Sequence, residues 1–316
     1  MEDYPHTLAE MERRFSTEDA CAEYLAAVRW PDGFVCPNCG GKDAWRTQRR
    51  LWHCRRCGRQ SSVTAGTVFH RSRKPLVLWF RAMWHLVNQK YGANALGLQR
   101  TLDLGSYETA WQWLHKLRHA MVRPGRDRLS GCVQVDETYL GRRSRGGKRG
   151  RGAEGKEMIA IAIEDKGAKR IGRIRLRHVA GGKAVDLNTF VLSAIEPGST
   201  VLTDDFRGYA QLPALGYIRQ IVRPDELRLP HLAASLLKRW LLGTYQGAVR
   251  PSHLAYYLDE FTFRFNRRTS KSRGKLFYRL VQQALHVDPL PEAALKVSAT
   301  APSDDDLDVL ESDHNI

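Results

Sequence analysis

Two aspartates far apart in the chain stand where an isolated carboxylate is unfavourable. Asp136 lies in the apolar, strand-like run "VQVDETYLG", and Asp204 follows the short strand-like run "VLT". A buried carboxylate needs a cation beside it, because its desolvation is not otherwise compensated. If the two strands are neighbours, both carboxylates reach one edge of a sheet and can hold Mg²⁺ or Mn²⁺ ions, which activate water or a 3′-hydroxyl against a phosphodiester. Taken singly, each aspartate is equally explained as a turn residue or an ion-pair partner.

A third metal ligand is expected from the helix that follows, which reads "LPHLAASLLKRWLLGTYQG". His231 and Lys238 are seven residues apart, close to two helical turns, so they share one face. A neutral imidazole binds metal ions, although it is a softer donor than a carboxylate and less usual for Mg²⁺. His231 as a ligand and His231 as a helix-start residue without chemistry stay equally open. Lys238 would point at the scissile phosphate or a flanking one.

Four of the six cysteines form a second constellation near the N-terminus. They follow the pattern C-x2-C, fourteen residues, C-x2-C, and are Cys36, Cys39, Cys54 and Cys57. Two such knuckles bring four thiolates to one point, which matches the tetrahedral preference of Zn²⁺ and leaves no open position for catalysis. The intervening "AWRTQRRLWHC" predicts a short hairpin, as in a zinc ribbon with a structural metal ion. The other two cysteines, Cys21 and Cys132, are predicted to be small core residues.

The chain is strongly basic. Fifty Lys and Arg against 34 Asp and Glu give a formal charge of +16, although the last segment, "APSDDDLDVLESDHNI", is acidic. A positive field attracts polyanions, and double-stranded DNA is the partner that the other motifs favour over a basic protein without such a partner. No apolar run approaches membrane-spanning length, and the start "MEDYPHTLAE" lacks the features of a secretory signal. We therefore expect a cytoplasmic protein without a membrane partner.

The pattern from residue 131 onward predicts an α/β domain. Three strand-like runs come first: "GCVQVDETYL", "EMIAIAIEDK" and "RIGRIRLRHV". The helical stretch "KAVDLNTFVLSAI", the strand "STVLTDD", a turn-rich piece, a strand around "IRQIV" and a long helix starting near His231 complete the order βββαβαβα. Few folds begin with three antiparallel strands and then alternate. The order therefore predicts a ribonuclease H-like domain with a mixed sheet.

The preceding segment, residues 75–123, has a helical pattern. Its second half reads as a helix, a turn around Gly105 and a second helix from Ser106, which resembles a helix-turn-helix. The side chains that the second helix would present to DNA are Tyr107, Thr109, Gln112, Lys116 and Arg118. A three-helix packing module without DNA contact fits the same pattern.

The chain is predicted to divide into four parts. The first two are an N-terminal helix with the zinc ribbon (1–70) and the helical region (71–127). The last two are the ribonuclease H-like domain (128–285) and an acidic tail (286–316), which is predicted to be disordered because of its composition.

Four sequence blocks resemble one known family. The blocks "VDETYLG", "VLTDDFRGY", "LLKRWLLGTYQG" and "YLDEFTFRFNRR" look like the signature blocks of the DDE-type transposases of small bacterial insertion sequences. The resemblance is to the IS1595 type, which also carries an N-terminal zinc ribbon, and it covers roughly residues 15–285 in the same order. It implies a ribonuclease H-like core, metal-dependent cutting at the ends of the element, and strand transfer into target DNA. It also implies a homo-oligomer on DNA, because two ends must be cut and joined together.

Carried over by position, the resemblance makes Asp136 the first metal ligand and Asp204 the second. Asp205 stands where the family often has Gly, so it is a bystander or a substitute. Lys238 matches the lysine of the family's third block.

The third ligand departs from the family pattern. Members with three acidic residues have a Glu at the position of His231, and another branch has an Asn at the position of Leu236. Substituted triads occur in the family, so His231 is the expected third ligand, with Glu260 as a weaker candidate. The alternative is a domain that binds DNA and does not cut it.

Clusters of cations predict where DNA lies. The Gly-rich loop "RRSRGGKRGRG", residues 142–152, directly follows the strand of Asp136 and is expected to order on a phosphate backbone, the alternative being a flexible solvated loop. Other cations lie in the zinc ribbon, near Lys238, and in "FRFNRRTSKSRGK". The predicted DNA-binding residues are Arg55, Arg56, Arg142, Arg143, Arg145, Lys148, Arg149, Arg151, Lys238, Arg239, Arg267 and Arg268.

Overall fold

The structure, a computed structural model, describes residues 2–123, 125–141, 156–167, 170–246 and 249–296. Within these ranges the helices are α1 (Leu8–Arg14), α2 (Glu18–Arg29), α3 (Leu76–Asn88), α4 (Ala95–Leu102), α5 (Tyr107–His119), α6 (Ala184–Ala194), α7 (Arg228–Tyr245), α8 (Leu254–Asn266), α9 (Arg273–His286) and α10 (Glu292–Lys296). The strands are β1 (Ala44–Arg46), β2 (Trp52–Cys54), β3 (Gln60–Ser61), β4 (Cys132–Leu140), β5 (Glu157–Asp165), β6 (Ile171–Val179), β7 (Thr200–Thr203) and β8 (Ile218–Ile221). None of the described helices combines the length and apolar character that a membrane span requires.

The N-terminal region folds as two helices followed by a small antiparallel sheet. Strands β1, β2 and β3 pair in chain order, so the hairpin predicted between the two cysteine pairs is confirmed. Two arginines of this hairpin turn toward α2: Arg50 pairs with Asp19 at 2.5 Å, and Arg46 pairs with Glu23 at 3.1 Å. These exposed ion pairs orient the ribbon on the helix, although each contributes little to stability.

Helices α3, α4 and α5 share a core with α2 and α9. Ser106 caps α5, because its Oγ accepts the N–H of Thr109 at 3.1 Å, and the helix begins where the sequence predicts. Trp79 of α3 stacks on Trp113 of α5 with 3.9 Å between ring centroids. Helix α9 packs against α2 and α3. The sequence assigned α9 to the α/β domain, whereas its apolar face completes the N-terminal helical core.

The second core surrounds a mixed sheet. Within the described residues, the strands after the helical region pair in the order β6-β5-β4-β7-β8. Strand β5 is antiparallel to β4 and β6, whereas β7 and β8 run parallel to β4. Helix α6 covers one face of this sheet, and α7 and α8 cover the other. The central strands are therefore apolar on both faces, which makes the charged residues of β4 exceptional.

The order of elements departs from the predicted βββαβαβα at two places. Between β7 and β8, the order βββαβαβα implies a helix, whereas the structure has a single 3₁₀ turn, Arg207–Tyr209, in the piece whose sequence is turn-rich. The connection contains two glycines and a proline, which disfavour a longer helix, and Gly216 adopts a φ of +85°. Helix α7 begins at Arg228, earlier than the predicted start near His231, and further helices follow it.

The C-terminal segment up to residue 296 is packed on the protein, which corrects the prediction of disorder from residue 286. Val287 and Leu295 are buried, and helix α10 lies against α5. The Nε2 of His253 lies 2.8 Å from the carbonyl oxygen of Leu295. A few apolar residues anchor the segment, although its overall composition is typical of a tail. Residues 297–316, with most of the acidic side chains, lie outside the described residues.

A buried ion cluster joins the helical core to the α/β domain. Arg118 of α5 donates to Glu260 of α8 at 2.9 Å, and Arg264 donates to the same carboxylate at 3.0 Å. The side chains of Arg118 and Glu260 are 1% and 0% exposed. This corrects two predictions. Arg118 does not face DNA, and Glu260 is held between two guanidinium groups instead of being available to a metal ion beside Asp136.

We expect Glu260→Gln to lower the free energy of unfolding by about 3–5 kcal/mol, because it leaves a guanidinium group buried without its countercharge. Urea denaturation followed by circular dichroism measures the change. The control Asp225→Asn removes a carboxylate from an exposed pair with Arg223, whose atoms are 3.5 Å apart, and should change stability by less than about 0.5 kcal/mol. Equal stability of the two variants would contradict a structural role for the buried cluster.

Candidate active site

The parallel pairing of β4 and β7 brings the two predicted aspartates to neighbouring positions. The register pairs Val133 with Val201 and Gln134 with Leu202. The paired segment ends there, and Asp136 and Asp204 each follow it by two residues, so both lie at the same end of the pairing. Neighbouring strands lie about 4.8 Å apart, so the two side chains leave adjacent backbones at the point where β7 ends.

Asp136 faces the start of helix α7. Its Oδ2 lies 3.1 Å from Nε2 of His231. Two residues earlier on the same face of β4, the buried Gln134 accepts the N–H of Leu229 at 3.1 Å and donates to Asp165 at 2.9 Å. The N–H of Leu229 lacks a partner inside the helix because it lies in the first turn, so Gln134 both satisfies it and fixes α7 against the strand of Asp136. Sequence reasoning missed Gln134, because nothing in the local pattern identifies its distant partners.

The surroundings of Asp136 favour a bound cation. Burial raises the pKa of Asp136 above its ordinary value, and the carboxylates of Glu137 and Asp204 raise it further. The N–H of Glu137 and the ring of His231 act in the opposite direction. Like charges held together in a partly dry site disfavour ionisation unless a positive ion lies among them. The site therefore suits a hard divalent ion such as Mg²⁺ or Mn²⁺.

Glu137 projects to the opposite face of the sheet from Asp136. There its carboxylate accepts a hydrogen bond from the hydroxyl of Tyr209. Tyr209 is fully buried, and this burial, together with Glu137, holds its pKa well above the ordinary value. Because Tyr209 ends the "FRGY" segment that follows Asp204, the bond ties that segment to the strand of Asp136. The sequence block contains the tyrosine, but its spacing does not reveal the partner.

The backbone that carries Asp204 is held by Arg219 of β8. Its Nε donates to Thr203 Oγ1 at 3.0 Å, and its Nη2 donates to the carbonyl oxygens of Asp204 at 2.9 Å and Phe206 at 3.2 Å. One carboxylate oxygen of Asp204 accepts the N–H of Phe206 at 3.1 Å. The loop after β7 is therefore fixed by a cation that sequence reasoning did not single out.

An open cleft of about 810 Å³ adjoins Asp204 at the carboxyl ends of β7 and β8. Its walls include Asp205, Arg207 and Arg223. Asp204 is half-buried and acts on the pKa of Asp136, whereas Asp205 is exposed. Ligands of open α/β sheets bind in crevices outside the carboxyl ends of the strands, so the cleft has the usual position for a substrate.

The predicted ligands fit a divalent metal ion by their chemistry. Among the described residues, the four cysteines are the only group of three or more whose ligand atoms all lie within 4.8 Å of one another. Asp136, Asp204 and His231 are more widely spaced, although His231 contacts Asp136 and Asp204 acts on it electrostatically. Two carboxylates and an imidazole are donors that a divalent ion accepts, and their net negative charge calls for one.

Lys238 and Arg239 extend the site along α7. His231 and Lys238 are both exposed on one face of the helix, with Ser235 between them. Partial burial and the neighbouring Lys156 lower the pKa of Lys238. Neither Lys238 nor Arg239 forms an ion pair with a described carboxylate. Both charges are therefore available to a phosphate backbone.

The other predicted DNA-binding residues have different surroundings. Arg55 and Arg56 are exposed on the zinc ribbon, where Arg55 pairs with Asp43 at 3.2 Å. The cationic loop at 142–152 lies outside the described residues, so its predicted role stays a prediction.

Arg267 and Arg268, predicted to contact DNA, both have partners within the protein. The guanidinium of Arg267 stacks on the ring of Phe263 at 3.9 Å. Arg268 donates to the carbonyl oxygens of Ile171, Gly172 and Phe265. These contacts hold both guanidinium groups at the C-terminal end of α8, and their predicted contact with DNA stays a prediction.

The four cysteines predicted to bind Zn²⁺ converge. Their Sγ atoms all lie within 4.8 Å of one another, with 3.6 Å between Cys36 and Cys57 and between Cys39 and Cys54. A disulfide would bring two sulfurs to about 2.05 Å. Four sulfurs placed about 2.3 Å from a central Zn²⁺ in a tetrahedron would be about 3.8 Å apart, so the observed spacing fits the metal ion.

Both knuckles use the same backbone turn. Gly40 donates its N–H to the carbonyl of Cys36, and Gly58 donates to that of Cys54, both at 2.9 Å. These glycines have φ values of +68° and +70°, which other residues rarely adopt. The N–H of Arg59 lowers the pKa of Cys57 to about 6.

Comparisons with known proteins find matches for both regions that contain these sites. Residues 128–266 match the family model of the ISXO2-like transposase domain, of the IS1595 type, and residues 16–60 match that of the transposase zinc-ribbon domain. A Halobacterium salinarum protein described as "Uncharacterized protein in transposable element ISH50" is 29% identical over 284 residues, which span 80% of this chain and 92% of the relative. The matched ranges contain the cysteine group and the residues that surround Asp136.

Cys39→Ser should lower bound zinc to well below the roughly one equivalent per chain expected for a four-thiolate site, because a tetrahedral set then lacks one ligand. Elemental analysis of the purified protein by mass spectrometry measures the zinc content. Cys132 lies outside the cysteine group, so Cys132→Ser should keep the full equivalent. Full zinc content in Cys39→Ser would refute the assigned ligand set.

Proposed function

Because the chain belongs to the IS1595-type family of insertion-sequence transposases, in which a zinc ribbon precedes an ISXO2-like transposase domain, we propose that it is the DNA transposase of a bacterial insertion sequence. It binds the terminal inverted repeats of its element, hydrolyses a phosphodiester bond at each end, and transfers the freed strands to target DNA. The observation that carries this proposal is the β4–β7 register, which brings the segments of Asp136 and Asp204 to one edge of the sheet, where a cleft adjoins Asp204.

The arrangement of the sheet supports a ribonuclease H-like fold for this domain. Its first three strands are antiparallel, its last two run parallel to the first, and helices cover both faces. In this arrangement the first and fourth strands are neighbours in the middle of the sheet. Residues at their adjoining ends can therefore act together although they are far apart in the sequence.

In the proposed reaction, Asp136 and Asp204 bind Mg²⁺ or Mn²⁺, and His231 completes the ligand set. The metal ions, when bound, activate water or a 3′-hydroxyl and neutralise charge that develops on the phosphate. Lys238 binds a phosphate beside the scissile bond, because it lies on the same face of α7 as His231. The hydrogen bonds that fix α7 and the loop after β7 keep these ligands close to the cleft before DNA arrives.

DNA reaches this centre along cationic surfaces of both halves of the chain. We assign contacts to Arg55 and Arg56 on the zinc ribbon, to Arg239 on α7, and to the loop at 142–152. These contacts with the phosphate backbone position the DNA but do not read its sequence. Two ends must be cut and joined together, so the acting form is a homo-oligomer on double-stranded DNA. A reaction on the chromosome places the protein in the cytoplasm, at the nucleoid when it is bound.

A DNA-binding regulator that does not cut is the second candidate function. The observation that favours it is the contact of His231 with Asp136 at 3.1 Å. The imidazole there gives the carboxylate a polar partner without any metal ion, which a Glu at the same position would not do. The surfaces for DNA would be retained in such a protein.

A cleavage assay on DNA carrying the element's ends, with Mg²⁺ or Mn²⁺, separates the two functions. Asp136→Asn and Asp204→Asn should each lower the cleavage rate by a factor of about 10²–10³ or more, because each removes a charged ligand but little volume. Their affinity for DNA should be retained. Asp127→Asn changes an exposed carboxylate paired with Arg123 and serves as the control that keeps wild-type activity. A wild type that binds the ends tightly without cutting would favour the regulator.

Lys238→Gln tests the assigned phosphate contact independently of cleavage. Loss of one phosphate contact should weaken DNA binding and reduce the slope of log K against log salt concentration by about one. Fluorescence anisotropy in EDTA, at several salt concentrations, gives this slope without any cutting. Lys166→Gln changes a lysine paired with Glu164 at 3.4 Å and should leave the slope unchanged. An unchanged slope in Lys238→Gln would remove Lys238 from the DNA path.

A further inference from the structure

Helix α7 offers the candidate metal centre one nitrogen donor and no carboxylate. Its sequence, "RLPHLAASLLKRWLLGTY", contains neither Asp nor Glu. His231 is the one residue of α7 whose side chain commonly binds divalent metal ions, and its Nε2 lies 3.1 Å from Asp136 Oδ2. Any ligand that α7 contributes beside Asp136 is therefore an imidazole.

The helix backbone sets the position of this imidazole. The hydrogen bond from Leu229 to Gln134 anchors the first turn at 3.1 Å. Ala233, Ala234 and Leu237 then pack into the core beneath the sheet. His231 lies between these two anchors, so a rigid element presents it to Asp136. Its side chain is 52% exposed, which leaves the ring room to exchange an ion-pair partner for a metal ion.

A nitrogen donor changes which divalent ion a site prefers. Mg²⁺ takes oxygen ligands in a near-ideal octahedron and loses its water reluctantly. The affinity of a site with nitrogen donors for first-row ions increases from Mn²⁺ to Fe²⁺ to Co²⁺. Mg²⁺, in contrast, prefers oxygen ligands to imidazole. Replacing a carboxylate by a neutral ring also removes one negative charge, which weakens the attraction for an ion held mainly by charge.

We propose that His231 determines the metal specificity of this centre, which binds nitrogen-accepting transition-metal ions such as Mn²⁺ and Co²⁺ in preference to Mg²⁺. The inference rests on the proposed function, because it requires Asp136 to belong to a metal centre. It goes beyond that function by naming the class of ion and the residue that selects it.

The test measures metal binding by the zinc-loaded, full-length protein and needs no cleavage. Titration calorimetry gives Kd for Mn²⁺ and for Mg²⁺ in the wild type, in His231→Glu and in Asp136→Asn. The ratio of the Mg²⁺ Kd to the Mn²⁺ Kd should be about tenfold higher in the wild type than in His231→Glu, in which a carboxylate replaces the ring. His231→Glu is a sound comparison, because the position is exposed and an acidic residue suits the first turn of a helix.

Electron spin-echo envelope modulation of bound Mn²⁺ provides a second readout that a purely structural role of His231 would not produce. Coordinated ¹⁴N should appear in the wild type and be absent in His231→Glu. Equal Kd ratios without a nitrogen signal, with Mn²⁺ binding lost in Asp136→Asn, would overturn the role of His231 and leave the metal centre in place. Undiminished Mn²⁺ binding in Asp136→Asn would overturn the metal centre itself, and with it the proposed reaction.

Discussion

The pairing of β4 with β7 is the constraint on which the candidate centre depends. It brings together two carboxylates from distant parts of the chain, and the apolar residues around them enforce it. Val133 and Val135 of β4 are fully buried on one face, and a slip of one residue would turn them and Asp136 to the opposite faces. Pairing with β5, which continues from Val133–Glu164 to Leu140–Glu157, locks the same register from the other side. The burial of Val133 and Val135 thus determines the face of the sheet on which Asp136 lies.

Residues without catalytic chemistry then hold the segments around that pairing. Gln134 fixes the start of α7, Arg219 fixes the backbone of the loop after β7, and Tyr209 ties that loop back to Glu137. Each uses hydrogen bonds in partly buried surroundings, where an unpaired group would be unfavourable, so alternative arrangements of the loop are disfavoured. The centre gains a defined shape from these contacts before any metal ion or DNA is bound.

Hydrogen bonds also attach the helical core to the α/β domain that contains the centre. Arg264 donates to the carbonyls of Leu86 and Gln89, and the indole N–H of Trp240 donates to that of Tyr91 at 2.8 Å. Helices α7 and α8 therefore both form hydrogen bonds with the end of α3 and the connection that follows it. A buried ion cluster of this kind is better understood as fixing one arrangement than as adding stability. The N-terminal half of the chain is thereby held in a fixed position relative to Asp136.

Local signals predicted most of the elements, and non-local contacts explain what they missed. The cysteine spacing, the cap at Ser106 and the first three strands depend on residues close in sequence, and the structure has them as predicted. A cation, in contrast, has the same local pattern whether it meets DNA or a buried carboxylate. Arg118 was therefore placed on the surface, and its partner Glu260 was considered for the metal. Gln134 and Arg219 gave no signal, because their roles exist only once the sheet is assembled.

The presence of His231, where related proteins with three acidic residues have a Glu, changes the charge around the whole centre. The N-terminus of a helix carries a partial positive charge, and α7 directs it toward Asp136 without an acidic residue in its first turn. A Glu at this place would partly cancel that potential and add to the crowding of negative charge around Asp136 and Asp204. With an imidazole instead, the proposed centre would repel a DNA phosphate less, and the charge of Lys238 on the same face would attract it. In the proposed centre, a metal ion would be held less by charge and more by the identity of its donor atoms, so the same substitution would affect the binding of both the phosphate and the metal ion.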